Sequence, residues 1–381
     1  MNELHIDKTH WKKYRFDEVC RLVNEATKDP TLEGLDHVIG LEHIEPNNLH
    51  ITHWDTLEKE TTFTRKFKKG QVLFGRRRAY QRKVAYAEFD GICSGDILVF
   101  EAIEKVMLAE LLPFLIQSEG FFQKALATSA GSLSPRTKFK ELADYEFLLP
   151  PKAEQKRLAE LLWAADEVVE KEKREREILQ NQIQIYINEN CNIKEQPKIP
   201  FSDLVEVNPT QRITDKEVSL ITMPDVSEEG EILHQERVKA SEYKGKGLTP
   251  FQENDILFAK ITPCMENGKG AIARGLINGI GLGSTEFHVL RPKAASDLYF
   301  CYYLTMSKRF RKLAEKQMTG SAGQKRVQIE FFDFYKLQAP TKEQRQIIGE
   351  KLFEIDCNIS NLKQQISLSQ QIKQELINKI F

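Results

Sequence analysis

Apolar residues near the end of the chain recur at steps of four and three. The series runs through Ile348, Leu352, Ile355, Ile359, Leu362, Ile366, Ser369, Ile372, Leu376 and Ile380, with Ser369 as its polar member. This spacing is typical of a coiled coil, because it keeps one apolar stripe along one side of a helix. Such a helix is a rod of roughly 55 Å at ~1.5 Å per residue. Its stripe requires a partner that shields it from water.

A second helical segment follows Pro151. It is rich in strong helix formers, and its apolar residues recur at coiled-coil-like spacings. The simplest partner for one stripe is the other, so we predict two long antiparallel helices with a globular part at each end. Pairing with a helix of another chain is the alternative. The predicted seam consists of Leu158, Leu161, Ala165, Val168 and Leu179 in the first helix and Ile348, Leu352, Ile355, Ile359, Leu362 and Ile366 in the second.

The segment before each long helix mixes short strand-like runs with one helical stretch. The strand-like runs are 72–74, 96–100, 256–259 and 286–290. The helical stretches are 108–127 and 298–317. We expect Pro113 to kink the first stretch or to move its start. The pattern predicts globular parts of the α+β class.

The chain also repeats itself. Residues 131–155 match residues 320–344 at one offset of 189, with Gly131 on Gly320 and Pro151 on Pro340. A repeat of this kind indicates a duplicated structural unit, here with approximate two-fold symmetry. We therefore predict the order domain, helix, domain, helix. The predicted bounds are 1–150, 151–195, 196–339 and 340–381.

Composition excludes several classes of protein. With 41% hydrophobic and 29% charged residues, the chain suits packed domains. No run approaches the ~18 apolar residues of a membrane helix, and no signal peptide begins the chain, so we expect a cytoplasmic protein. The six cysteines stand singly, so we expect reduced thiols and no metal. The net charge is −1, and any DNA-binding surface must therefore be local.

One segment is strongly basic. Residues 65–83 contain nine Lys and Arg side chains and no acidic one. Arginines on a loop clamp phosphates or pair with guanine in the major groove, so the patch favours an anionic partner. A solvated basic face is the alternative. The DNA contacts predicted here are Arg65, Lys68, Lys69, Arg76, Arg77, Arg78, Arg82 and Lys83.

The second half offers different chemistry at the corresponding loop. Residues 260–273 supply donors and amides between Gly and Pro, which suits base reading, although a simple polar loop is the alternative. The matched loops 130–138 and 320–328 share Gly-Ser followed by a cation, which suits phosphate contact; a plain turn is the alternative. The DNA contacts predicted in these loops are Lys260, Thr262, Asn267, Lys269, Arg136, Lys325 and Arg326.

Enzyme signatures are confined to one loose match. The chain has no Asn-Pro-Pro-aromatic motif of adenine methylases and no Gly-rich nucleotide loop. Asp225, Glu242 and Lys244 fit the short carboxylate, carboxylate, lysine pattern of metal-dependent nucleases. His50-x-x-His53 lacks further metal ligands nearby. We predict a protein without catalytic residues, with a nuclease as one alternative and a coiled-coil scaffold as another.

Four segments resemble a known family. They are LLPPKAEQKRLAELL at 148–162, its second copy LQAPTKEQRQIIGEKL at 337–352, ITPCMENGKGAIA at 261–273 and GSTEFHVLRP at 283–292. In these segments the chain is similar to the specificity subunits of type I restriction-modification systems. The resemblance implies two target recognition domains, spaced by helices that dock methylase subunits, and no chemistry by the chain itself.

The same resemblance implies the partners. They are double-stranded DNA, two methylase subunits and, through these, restriction (motor-nuclease) subunits. S-adenosylmethionine, ATP and magnesium then belong to the partners, and this chain binds no cofactor. Because the two halves differ in the middle, we expect an asymmetric bipartite DNA site with half-sites ~10 base pairs apart.

Overall fold

The computed structural model describes residues 6–131, 133–191, 196–213, 216–243, 245–321 and 323–381. The chain divides into two compact units. Unit 1 comprises Met1–Glu172 with Gln365–Phe381, and unit 2 comprises Lys173–Gln364. Each unit thus holds one globular part and one half of each long helix. The predicted bounds of domains and helical tails follow element type instead, and they stay a prediction.

Unit 1 contains nine strands among its described residues. They are β1 (Lys12–Arg15), β2 (Cys20–Val23), β3 (His37–Ile39), β4 (Arg65–Phe67), β5 (Val72–Gly75), β6 (Val84–Tyr86), β7 (Gly91–Cys93), β8 (Ile97–Ala102) and β9 (Glu146–Leu149). An antiparallel sheet has the order β2-β8-β5-β6, and a second sheet has the order β3-β7-β4 with β3 parallel to β7. The helices are α1 (Phe16–Val19), α2 (Leu112–Gln117), α3 (Glu119–Ala127), α4 (Phe139–Leu142) and the long α5 (Lys152–Asn190).

Unit 2 repeats this arrangement. Its strands are β10 (Lys198–Pro200), β11 (Val205–Val207), β12 (Glu217–Ile221), β13 (Glu236–Lys239), β14 (Thr249–Gln252), β15 (Ile256–Ala259), β16 (Gly270–Ile272), β17 (Ile280–Gly283), β18 (Phe287–Pro292), β19 (Met318–Thr319), β20 (Arg326–Val327) and β21 (Lys336–Gln338). Its helices are α6 (Leu298–Met306), α7 (Lys308–Lys316), α8 (Phe331–Phe334) and the long α9 (Lys342–Ile380). The sheet orders are β11-β18-β15-β16 and β13-β12-β17-β14, so β13 is an addition to the pattern of unit 1. The predicted α+β class and internal repeat are confirmed.

The central strands explain why the sheets are covered on both faces. All four residues of β5 are buried, with Val72 and Phe74 in one apolar cluster and Leu73 in another. Alternate side chains of a strand point to opposite faces, so a continuous apolar run requires cover on both. Strand β15, Ile256–Ala259, follows the same rule in unit 2.

Each predicted helical stretch of the globular parts is two helices. Ser118 and Ser307 adopt extended backbone, and their Oγ atoms accept hydrogen bonds from the N–H groups of Phe121 and Phe310. A serine in this role ends one helix and caps the next, because its oxygen satisfies a free backbone donor. Pro113 lies in the first turn of α2, where a proline is tolerated and does not kink the helix.

The long helices pair antiparallel within each unit. In unit 1, Lys373 of α9 lies against Asp166 of α5, and Ser369 lies against Glu172. In unit 2, Ile183 of α5 shares a core with Leu352 and other residues of α9. The predicted seam residues Ile348, Leu352, Ile355, Leu362 and Ile366 are buried, and Leu158, Ala165, Leu179 and Ile359 are half-buried.

Two predicted seam positions are wrong. Leu161 and Val168 are exposed, and Leu162 and Val169 are buried in their place. The buried positions of this helix include Asp166, which is polar. A set of seam positions chosen from apolar residues alone is therefore displaced by one residue. A polar seam residue breaks the apolar pattern without leaving the seam.

The repeat offset also changes within the chain. Gly131 and Gly320 both have positive φ, which supports the predicted offset of 189 at that point. Helices α5 and α9 begin at Lys152 and Lys342, and 342 − 152 is 190. The second copy therefore has one additional residue between Gly320 and Lys342. Because the offset has changed to 190 at the start of the helices, the predicted match of Pro151 with Pro340 is wrong.

Candidate nucleic-acid interface

Strand β5 divides the basic segment into two groups. Lys68 and Lys69 precede the strand, next to a turn at Gly70, and Arg76 follows it directly. Lys68 to Gln71 form a turn, and at ~3.3 Å per residue the five extended steps from Gln71 to Arg76 separate the groups by roughly 17 Å. The prediction of one continuous patch is therefore corrected to two groups at opposite ends of the strand.

The arginine group surrounds a single carboxylate, Asp96. Arg136 donates from Nε to Asp96 Oδ1 over 2.7 Å and from Nη2 to Oδ2 over 3.3 Å. Arg77 approaches the same carboxylate at 3.4 Å and also donates to Ser134 Oγ over 3.0 Å. The hydrogen bond from Arg136 is the largest of the effects that lower the pKa of Asp96. These bonds tie the loop after β5 to the turn before β8 and to the loop before α4.

Arg76 has unmet electrostatic and hydrogen-bonding capacity. Its Nε is buried without a hydrogen-bond partner, whereas its backbone bonds Asp96 and Thr137. Burial, and next the charge of Arg65, lowers the pKa of Arg76. A half-buried guanidinium beside other cations is stabilised by an anion, so this position suits a phosphate or a base acceptor.

Arg78 is a second cation with free donors. Its backbone N–H donates to Pro135 over 2.8 Å, and its φ is +54°, a costly value for a residue with a side chain. Within the described ranges, its guanidinium makes no hydrogen bond or ion pair. The backbone of Arg78 is therefore held in place, and the donors of its side chain remain available.

Other members of the basic segment serve the fold. Arg82 pairs with Glu119 and lies 4.9 Å from the ring of Phe122. Lys83 donates to the backbone oxygen of Leu41 over 2.6 Å, and Arg65 donates to that of Ile97. At the other end of β5, Lys68 lies 3.5 Å from Glu25, and Lys69 is exposed.

Unit 2 reproduces the arginine–carboxylate pair. Arg326 donates from Nε and Nη2 to Glu286 over 2.9 and 2.8 Å, and Glu286 precedes β18 as Asp96 precedes β8. Lys260 directly follows β15 and takes the place of Arg76. Its backbone bonds Glu286 and Val327. Both units thus place one cation beside a bridged loop.

The remaining predicted DNA contacts of unit 2 differ in whether their side chains are already bonded within the fold. Thr262 donates to Glu266, Asn267 donates to Glu228, and Lys269 donates to the backbone oxygen of Met223. Lys325 is exposed, and its backbone oxygen accepts from the N–H of Thr262 over 3.0 Å. Across the portion of the chain with described structure, the side chains of Lys260 and Lys325 make no hydrogen bond or ion pair.

The nuclease pattern does not assemble into a described metal site. Asp225 Oδ2 accepts from both the N–H and the Oγ of Thr222, which makes it the cap of a short turn. Glu242 lies in a separate short helical turn, and Lys244 lies outside the described residues. The carboxylate of Asp225 is therefore explained by local structure.

One group of potential metal ligands occurs among the described residues: Glu42, His43 and Asp55. Nδ1 of His43 accepts the backbone N–H of Gly40, so a neutral ring carries its proton on Nε2, the atom that faces Asp55. A ligating histidine needs the reverse arrangement, with a free lone pair towards the metal. This histidine is a structural acceptor.

The chain matches a family at both of its units. The family model of the type I restriction modification DNA specificity domain covers residues 8–181 and 187–374. The chain belongs to this family. Over 189 residues it is 39% identical to the Type I restriction enzyme EcoEI specificity subunit of Escherichia coli, covering 48% of this chain and 31% of that protein. It is also 39% identical, over 182 residues, to the Escherichia coli EcoAI specificity subunit, covering 46% and 31%.

The chain thus spans less than a third of the length of these curated relatives. Its fold is similar to that of the type I restriction-modification system S subunit from M. genitalium, with a TM-score of 0.55 at 14% identity. That likeness covers 99% of this chain and 98% of the other. No described helix is long and apolar enough to cross a membrane.

Sequence reasoning on this member of the specificity-domain family missed the two carboxylates. Asp96 and Glu286 occupy the third position of SGDILVF and STEFHVL, two segments that correspond in the repeat. An acidic residue at the same place in both copies was the available signal. It was missed because DNA contacts are predicted from cations, and the acidic residues that hold those cations in place are not themselves DNA contacts.

Proposed function

We propose that this chain is the DNA-reading specificity subunit of a type I restriction-modification complex and has no catalytic role of its own. The observation that carries the proposal is the arginine–carboxylate bridge with an adjoining unpaired cation, which occurs in both units. A family member with two copies of such a site has one for each half of a bipartite DNA sequence. The bridge holds the backbone of the loop that carries each unpaired cation, so less backbone freedom is lost on binding phosphate, which favours affinity.

The two units would read different half-sites. Unit 1 offers guanidinium groups at Arg76 and Arg78, which suit bidentate pairing with guanine or a phosphate clamp. Unit 2 offers ammonium groups at Lys260 and Lys325, which bind as point charges. The recognised site is therefore asymmetric, and a separation of ~10 base pairs between half-sites stays our expectation.

Arg136 and Arg326 have a different role in this proposal. Their guanidinium groups are each bonded twice to a carboxylate, so most of their charge is neutralised. They hold the loops that present Arg76 and Lys260. Loss of either arginine–carboxylate pair would therefore weaken DNA binding by disordering its loop. It would remove little direct contact with DNA.

Methylase subunits are the proposed protein partners, two per chain, with restriction subunits joining through them. Exposed apolar side chains on the long helices support this docking: Leu161, Val168, Leu368 and Ile372 in unit 1, and Ile178, Ile185 and Ile347 in unit 2. Apolar groups of this kind on a helix surface are typical of protein contacts. S-adenosylmethionine, ATP and magnesium would be bound by these partners, and the complex would act in the cytoplasm.

The test is methylation mapping by single-molecule sequencing in a host that expresses the chain with its neighbouring methylase. We expect a split, asymmetric motif that disappears without this chain. Arg78→Ala should weaken binding, and if Arg78 reads a base it should relax one position of one half-site at a cost of ~1 to 3 kcal/mol. Lys69→Ala is the matched control, because it removes an exposed cation at the far end of β5.

Three outcomes would contradict the proposal. A stable complex without any motif would favour the scaffold alternative. DNA cleavage by the isolated chain with magnesium, abolished by Asp225→Asn, would favour the nuclease. Equal losses from Arg78→Ala and Lys69→Ala would show that the arginine end of β5 has no special role.

A further inference from the structure

One apolar side chain stands among the arginines of unit 1. Leu133 is 90% exposed, in the loop that joins α3 to α4. Exposing a leucine to water is unfavourable, although single exposed leucines are common. Its surroundings therefore decide whether this one has a role.

The loop that carries Leu133 is held in a fixed shape. Ala130 and Arg136 close it with two backbone hydrogen bonds of 3.1 and 2.9 Å. Gly131 has a φ of +118°, a conformation that favours glycine. These bonds fix the two ends of the loop, at Ala130 and Arg136, on either side of the exposed leucine.

Hydrogen bonds from two arginines place the loop of Leu133 at the proposed DNA surface. The residue that follows it, Ser134, accepts hydrogen bonds from Arg77 at 3.3 and 3.0 Å. The next residue, Pro135, accepts the backbone N–H of Arg78 over 2.8 Å. An anion drawn to Arg76 and Arg78 would thus bring its neighbouring groups against this leucine.

An apolar group between cations meets a limited set of DNA features. Phosphates are polar and the C–H groups of deoxyribose are the same at every position, whereas the base edges of the major groove carry one apolar group that depends on sequence, the C5-methyl of thymine. We infer that Leu133 contacts a thymine methyl in the half-site read by unit 1, an inference that rests on the proposed function. The matched loop of unit 2, 320–325, has no large apolar residue in its sequence, so the contact adds to the asymmetry of the site.

The test uses the complex of the full chain with its methylase and duplexes that carry the mapped motif. Each thymine of the motif is replaced in turn by uracil, which lacks the methyl group. We expect wild type to lose about fourfold in affinity at one thymine, the equivalent of ~0.8 kcal/mol for one buried methyl. The Leu133→Ala complex should bind the thymine duplex at least fourfold more weakly and should be indifferent to uracil at that position.

Leu32→Ala is the matched control. Leu32 is 85% exposed in another loop of unit 1, so its loss should leave affinity and uracil sensitivity unchanged. Because both leucines are exposed, folding should be unaffected, which tryptophan fluorescence checks. A motif whose two half-sites both lack A·T pairs, or a wild-type complex indifferent to every uracil, would overturn the inference. So would a Leu133→Ala complex that keeps its uracil sensitivity, or that loses affinity equally on both duplexes.

Failure of the proposed function looks different. In that case the wild-type complex yields no methylation motif from which to design the duplexes. A clear motif with normal behaviour of Leu133→Ala refutes the thymine contact alone.

Discussion

Replacing Lys373 with methionine should destabilise unit 1 by about 3 to 5 kcal/mol. Lys373 of α9 is 4% exposed, Asp166 of α5 is 1% exposed, and the ammonium group donates to Asp166 Oδ1 over 2.8 Å. Both residues lie in the seam between the helices. Breaking a buried pair leaves one charge without compensation, which costs far more than the pair itself contributes.

His50 sets where each substitution falls in this range. Its Nε2 lies 2.7 Å from Asp166 Oδ2, so the carboxylate keeps one cationic partner after Lys373→Met. Burial raises the pKa of Asp166, but the hydrogen bond from His50 and the charge of Lys373 together outweigh it and lower that pKa. We expect Lys373→Met near the lower end of the range. Asp166→Leu should be more costly, because among the described residues Lys373 has no other partner.

The double variant separates electrostatics from packing. Asp166→Leu with Lys373→Met places two apolar side chains in the seam and leaves no buried charge between the helices. Its stability should return to within ~1 kcal/mol of wild type, so that the coupling energy of the cycle exceeds ~2 kcal/mol. His50 retains Glu88 at 2.9 Å in this background.

The assay uses a natural property of the chain. Its three tryptophans, Trp11, Trp54 and Trp163, all lie in unit 1, so their fluorescence in urea follows the unfolding of that unit. Lys379→Met is the control, because Lys379 is an exposed lysine of the same helix within unit 1 and should change stability by less than ~0.5 kcal/mol. If Lys373→Met behaves like this control, or if the double variant shows the sum of the single losses, the pair is not a buried charge pair.

Three further predictions concern titration and packing. The hydrogen bond to Asp166 is the largest effect that raises the pKa of His50, to about 9 from 6.5. The contact of His50 with Asp166 therefore stabilises unit 1 fully below pH 6.5, and this stabilisation is lost as pH rises through 9. Urea unfolding followed by fluorescence should show a decrease of up to ~3 kcal/mol in the free energy of unfolding, and His50→Gln should lack this decrease. Burial lowers the pKa of His288 to about 4, so unit 2 should lose stability as pH falls from 6.5 towards 4; amides of β18 should show lower protection factors, and His288→Gln should lack this change. Leu162→Ser should destabilise unit 1 by ~2 to 5 kcal/mol, whereas Leu161→Ser should stay within ~0.5 kcal/mol and weaken co-purification of the methylase; equal destabilisation would restore the predicted seam.

The sequence predicted the fold class, the repeat and the two paired helices, because each rests on a periodic pattern that packing cannot easily override. The start of α5 at Lys152 and the course of the C-terminal helix follow directly from such patterns. The division of each predicted helical stretch at Ser118 and Ser307 was missed, since both stretches continue with helix-forming residues on either side. A serine cap is a weak local signal that becomes decisive only when the chain turns.

The sequence predicted which loops form the candidate site, but not which of their cations remain available and which stabilise the fold. Counting cations identified residues 65–83 but could not show that β5 separates Lys69 from Arg76. Nor could it show that Arg82 and Arg136 are used by Glu119 and Asp96. Partners distant in sequence decide which charges remain available, and one sequence does not contain that information.

The corresponding carboxylates of the two units show how a duplicated fold becomes asymmetric. Asp356 lies 190 residues after Asp166, but it accepts a hydrogen bond from the Tyr303 hydroxyl at 3.0 Å, and burial raises its pKa. The residue 190 positions before Lys373 is Ile183, which is buried and apolar. Unit 1 therefore requires a cation on one helix opposite an anion on the other, and unit 2 does not. A polar pair at one seam position specifies pairing and register, because any other alignment buries a charge alone. We infer that this pair fixes which ends of α5 and α9 meet in unit 1, so that apolar burial is free to stabilise the pairing in both units.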